Sequence, residues 1–146
     1  MYDKILIPID GSEVSAHAAL EGFALAKMLG AEVNLLYVVD YAVLTMPDAE
    51  TTLSNMEVIR KSFTTLGEKA IGELSATAKE KGVKVKAVIS EGDVHDEIIK
   101  AAEDLKASLV IMGTHGRRGL NRLLLGSVAE SVARRAHCAV LLIRPE

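Results

Sequence analysis

Four short apolar runs constrain this chain more than any other feature. Ile5–Ile9, Val33–Val39, Ser108–Met112 and Ala139–Ile143 are nearly continuous in apolar residues instead of alternating with polar ones. Runs of that kind suit strands of a parallel sheet covered on both faces. A fifth segment, Val83–Ile89, alternates with lysines and predicts a half-exposed strand at a sheet edge. The segments between them carry helix signals. After the first run, Asp10-Gly11-Ser12 supplies turn chemistry with Ser12 as the capping residue. Ala16, Leu20, Phe23 and Lys27 then recur at helical spacing up to a C-cap signal at Gly30. From Asp40 to about Asn55 the pattern fails around Met46-Pro47-Asp48, which reads as an insertion at about 40–55. A long stripe resumes at Ile59 and runs through Phe63, Leu66, Ala70 and Leu74 to Lys81-Gly82. Asp93 caps the next helix, whose acidic first turn holds Asp96 and Glu97. Ser127-Val128-Ala129-Glu130 has capping-box spacing, with Ser127 as the cap.

Strands alternating with helices imply an α/β fold, a single domain over 1–146 built on a doubly wound, five-stranded parallel sheet with helices on both faces. The expected strand order is 3-2-1-4-5, which makes the first and fourth strands neighbours where the winding reverses. Asp10 and Gly113 then meet at one crevice, and such crevices are where these folds bind ligands.

Composition narrows the function classes. With 146 residues and 49% of them hydrophobic, the chain can form one core burying roughly 70% of its unfolded surface. A net charge of −3, spread along the sequence, leaves no basic face for a phosphate backbone, so nucleic acid is not an expected partner. The first apolar run is cut at Asp10 and is too short for a signal-peptide core or a membrane span, which predicts a cytoplasmic chain without a membrane partner. Cys138 is the only cysteine, and His17, His95, His115 and His137 lie far apart. No disulfide framework or local zinc spacing results, and Cys138 reads as a small core residue.

The chemistry concentrates after the fourth run, in Gly113-Thr114-His115-Gly116-Arg117-Arg118-Gly119-Leu120-Asn121-Arg122-Leu123-Leu124-Leu125-Gly126-Ser127. Glycines let backbone approach an anion closely, and Gly126-Ser127 opens a helix whose free N–H groups favour phosphate oxygens. Taken one at a time, the same glycines are also ordinary turn residues. The spacing Gly113, two residues, Gly116, nine residues, Gly126-Ser127 resembles that of the ATP-binding members of the universal stress protein family. The resemblance extends to Lys4-Ile5-Leu6-Ile7-Pro8-Ile9-Asp10-Gly11-Ser12 and to Ala139–Ile143.

That resemblance implies bound ATP, with Pro8, Asp10, Val38 and Met112 beside the nucleotide. It further implies that Gly113, Gly116, Gly126 and Ser127 contact ribose and phosphates, with Val128 also among the nucleotide-binding residues. Asp10 would also hold a Mg²⁺ or Mn²⁺ ion through water. Each position has a structural alternative: Asp10 as a turn residue, Val38 as a core strand residue, Ser127 as a helix cap. His115, Arg117, Arg118 and Arg122 read as a solvated loop or as phosphate clamps. The sequence has no P-loop, GxGxxG, HExxH or GxSxG motif, so efficient ATP hydrolysis is not indicated and no catalytic residue is assigned. Three readings stand: a nucleotide-dependent regulatory or stress-response protein; a slow metal-dependent ATPase or nucleotidyl-transfer enzyme using Asp10 and His115; and an interaction module that binds no nucleotide. The apolar last strand, if it lies at the sheet edge, predicts a homodimer through Ala139–Arg144.

Overall fold

The computed structural model describes residues 1–40, 53–115 and 125–145. Its elements are β1 (Lys4–Ile9), α1 (Glu13–Leu29), β2 (Glu32–Asp40), α2 (Leu53–Glu80), β3 (Val85–Gly92), α3 (Val94–Asp104), β4 (Leu109–Gly113), α4 (Ser127–Arg135) and β5 (Ala139–Ile143). The sheet has the order β3-β2-β1-β4-β5 with every neighbouring pair parallel. The doubly wound α/β sheet and its strand order are those the sequence predicts.

Apolar runs become central strands because both of their faces are covered. Ile5, Ile7, Val33 and Leu35 point into one core with Phe23 of α1 and Ile71 of α2. Leu6, Leu36 and Val110 point into a second core with Ile98 of α3 and Val132 of α4. Full burial of one such side chain stabilises by about 1.5–3 kcal/mol. β3 lies at an edge, as its lysines imply, although its ladder runs from Val85 to Gly92, two to three residues later than expected. Val83 is buried just ahead of it. Lys84 and Lys86 reach Glu32 at 4.0 and 3.3 Å, which keeps charge along that edge.

The helix ends follow their capping chemistry at three of the expected places. Ser12 Oγ accepts the Ser15 N–H at 3.1 Å, Gly30 closes α1 in the left-handed conformation, and Asp93 Oδ1 accepts the Asp96 N–H at 3.0 Å. The helix faces needed correction. In α1 the buried side runs through Ser15, Ala18, Ala19, Gly22, Phe23 and Ala26, whereas Leu20 is 39% exposed and Lys27 is exposed. Small residues set this face because the helix sits close to the sheet. A Cβ on Gly22 would lie 2.5 Å from Ile7 Cδ1. In α2, Ile59, Phe63, Ala70 and Leu74 pack on the core as expected, but Leu66 is 47% exposed. Gly67 takes its place, and a Cβ there would lie 2.5 Å from Tyr37 Cδ1. α2 begins at Leu53, ahead of the expected Ile59. Of the insertion expected at 40–55, positions 41–52 lie outside the described residues.

Candidate functional site

The β1–α1 turn is built by three short-range bonds. Asp10 Oδ1 accepts the Ser12 N–H at 2.9 Å, and Gly11 takes φ 82° between them. Ser15, buried in the first turn of α1, accepts the Asp10 N–H at 3.2 Å and lies 3.1 Å from Ser12 O as donor. Asp10 is therefore held at the strand end by its own turn, and this role is compatible with a ligand role. Pro8 explains why the sheet opens here. β1 pairs with β2 from Lys4 through Ile9, while its pairing with β4 is confined to Ile5 and Leu6. Pro8 has no N–H to give a ladder, so the β1–β4 seam parts towards the carboxyl ends of the strands, the expected ligand crevice.

At the end of β4 the backbone is packed more tightly than any side chain would permit. A Cβ on Gly113 would lie 2.8 Å from Val14 Cγ1 of α1 and 3.3 Å from His115 O. The Thr114 N–H bonds Ile143 O of β5 at 3.0 Å, and the Gly126 N–H bonds Thr114 O at 2.8 Å. A Cβ on Gly126 would lie 2.9 Å from that same Thr114 oxygen and 3.4 Å from His115 Cα. Since Gly126 has φ −62°, close approach, and not a left-handed backbone, is what requires glycine there. The result sets the N-terminus of α4 against the end of β4, with free N–H groups and the positive end of its dipole beside the crevice.

Two expectations about this segment change. Gly126, not Ser127, is the N-cap of α4; no side chain bonds the cap, Ser127 is the exposed first helical residue, and Glu130 pairs with Arg134 at 2.9 Å in place of closing a capping box. The close contact with Thr114 O leaves no room for a side chain at the cap, which moves the helix start by one residue. His115 is partly buried: its Nδ1 lies 2.9 Å from Thr114 Oγ1, and its Nε2 is shielded from water without a hydrogen-bond partner among the described residues.

The remaining expected residues fall into two groups. Met112 belongs to the second core, and Val38 and Val128 pack partly buried against it, so these three share one cluster. Pro8 is buried in β1, opposite Leu36. Gly116 lies outside the described residues, as do Arg117, Arg118 and Arg122. Sequence reasoning missed Val14, Ser15 and Thr114. A serine in the first turn after a capping serine was the available signal for Ser15; for Val14 and Thr114 there was none, because their partners are far away in sequence. Among the described residues no group of three or more His, Cys, Asp or Glu side chains could hold a metal ion. Burial pushes the Cys138 thiol up, consistent with its place against the second core.

The model of the Universal stress protein family matches residues 1–144. Universal stress protein MJ0531 of Methanocaldococcus jannaschii is 42% identical over 99% of this chain and 83% of its own length. The solved structure of the hypothetical protein MJ0577 superposes with a TM-score of 0.87 at 32% identity, covering 100% of this chain and 98% of that one. A universal stress protein crystallised in complex with cAMP shares the fold, with a TM-score of 0.74 at 22% identity over 97% of each chain.

Proposed function

The chain belongs to the universal stress protein family, and from that premise we propose that it binds adenine nucleotide, with ATP as the ligand, as a cytoplasmic nucleotide-dependent regulatory protein of the stress response. The observation that carries this reading is the glycine-only contact at Gly126, 2.9 Å from Thr114 O. It sets a helix N-terminus against a strand end at the crevice where the winding reverses. Such an end binds phosphate through its free N–H groups and its dipole. The cAMP found in one structural neighbour supports an adenine ligand of this kind. Asp10 is proposed to stand by the ribose and phosphates and to hold Mg²⁺ or Mn²⁺ through water. Pro8, Val38, Met112 and Val128 would form the apolar side of the site, and Gly113, Gly116 and Ser127 would meet the ribose and phosphates. Among the described residues no helix is long and apolar enough to cross a membrane.

The test is to denature the purified protein, chromatograph any released nucleotide, and titrate the stripped protein with ATP and Mg²⁺. Stoichiometric release or saturable binding is expected. A chain that releases no nucleotide and binds none would leave the glycines as packing devices and favour the interaction-module reading.

A homodimer through β5 is proposed alongside. β5 is an edge strand with no charged residue between Ala139 and Ile143, and Leu141 is 39% exposed. The other edge, β3, carries Lys86 and Glu91 and is a poorer template for pairing. Light scattering at micromolar concentration should give about twice the 15.6 kDa chain mass, and Leu141→Glu should shift it towards the monomer. A monomeric mass for the unaltered protein would remove the dimer.

A further inference from the structure

On the face of the sheet away from Val38, Met112 and Val128, a cleft of about 320 Å³ opens between α1 and α2. Buried Ile9 and Ser15 lie at its base. Ala16 and Leu20 of α1 and Ala70 and Leu74 of α2 give it apolar walls. Side chains packed to interior density leave few voids larger than a water molecule, so an unfilled space of this size beside a core needs a cause. Two close approaches supply it. α1 is drawn onto the sheet at Gly22, where a Cβ would lie 2.5 Å from Ile7 Cδ1, and α2 rests on the Tyr37 ring at Gly67. Each helix is thus seated on strands, and alanine at positions 16 and 70 leaves the gap between the helices open. Its volume lies at the lower end of the range for small-molecule pockets, roughly 300–1,000 Å³.

The polar groups at one end select the ligand. Both helices run away from the carboxyl ends of the strands. The Gly11-Ser12 turn therefore borders the cleft at the level of those strand ends, and Glu73 and Thr77 border it farther down. The Thr77 hydroxyl donates to Glu73 O at 3.1 Å, which leaves its oxygen as an acceptor. The Glu73 carboxylate, itself only an acceptor, joins no ion pair among the described residues. This end offers acceptors and a negative charge, with no side-chain donor. We propose that the cleft is a second ligand site that takes a small aliphatic amine in its ammonium form. The chain lies along Leu20, Ala70 and Leu74, and the ammonium donates to Glu73 and to Thr77 Oγ1. An ammonium has three donors and no acceptor, the complement of that end. A carboxylate would meet Glu73 with like charge, and an alcohol would forgo the ionic attraction. The site stands on the first core and does not depend on the nucleotide reading.

The experiment is an NMR titration of the full chain with hexylammonium, 1-hexanol and hexanoate in turn, read from the backbone amide shifts. Hexylammonium should bind saturably, with the largest shifts at Ser12, Ala16, Leu20, Ala70 and Glu73. Hexanol should bind about three- to fivefold more weakly, since an ion pair at an exposed carboxylate contributes modestly, and hexanoate more weakly still. Glu73→Gln should bring hexylammonium to the affinity of hexanol and leave hexanol unchanged. Ala16→Leu should fill the cleft and abolish the binding of both. If that variant does not fold, Glu73→Gln still carries the test. Saturating ATP with Mg²⁺ should not displace the amine. Equal affinity for amine and alcohol, or unchanged amine affinity in Glu73→Gln, would overturn the choice of an amine. Absence of saturable shifts, shifts confined to residues outside the cleft, or displacement by ATP would overturn the site. The same shifts on concentrating the protein alone would give the cleft to a second copy of the chain and overturn the proposal too.

Discussion

Gly126→Ala is expected to weaken ATP binding by about a hundredfold. The added methyl would lie 2.9 Å from Thr114 O, a backbone atom that cannot rotate aside. The Gly126 N–H already bonds that oxygen at 2.8 Å, so relieving the clash moves the first turn of α4 away from β4. Hydrogen bonds to a charged group contribute about 1.5–3 kcal/mol each. A hundredfold loss, roughly 2.8 kcal/mol, corresponds to misplacing one or two of them. Overpacking should lower stability by about 1–3 kcal/mol at the same time. Gly72→Ala is the control: nothing lies within 4 Å of the Cβ it would add. Inside helix α2 that change should leave ATP affinity alone and stabilise by roughly 0.5–1 kcal/mol. Equal ATP affinity in the Gly126 variant and the unaltered chain would mean that the α4 terminus does not hold the phosphates.

The second large effect concerns the core that carries the crevice. Phe23→Ala should cost about 3–5 kcal/mol in urea unfolding, since it empties a fully buried site between α1 and the sheet. Against a total stability of about 5–15 kcal/mol, that is a large share. Leu20→Ala, on the same helix but 39% exposed, should cost less than about 1 kcal/mol. Comparable losses in the two variants would return α1 to the face that its sequence spacing suggests.

That face was hard to read for a definite reason. α1 is apolar or alanine at most positions, so several stripes of helical period fit it nearly equally well. Gly22 and Ala26 looked neutral, yet they mark the buried side because the helix lies close to Ile7. Likewise Leu66 fitted the α2 stripe, but the Tyr37 ring occupies that place and leaves room only for Gly67. In both helices the deciding partner is a strand residue remote in sequence.

At the site the division is similar. The crevice at the β1–β4 junction and the glycine spacing were legible, because strand runs, turn residues and the handedness of crossovers are local or topological signals. Ser12, Gly30 and Asp93 were legible as caps for the same reason: each bonds backbone within its own turn. The start of α4 was not. Ser127 satisfied the local capping rule, but contact with Thr114 O gave the cap to Gly126. Nor could the sequence say that His115 would be drawn in against Thr114, whose own position depends on Ile143 of β5. The sequence by itself determined which segments are strands and helices, their order in the sheet and the end at which a ligand would sit. Only the tertiary structure decided which helix faces are buried, which glycines are indispensable and which polar atoms are left unbonded, because those depend on atoms brought within 3–4 Å by folding from distant parts of the chain.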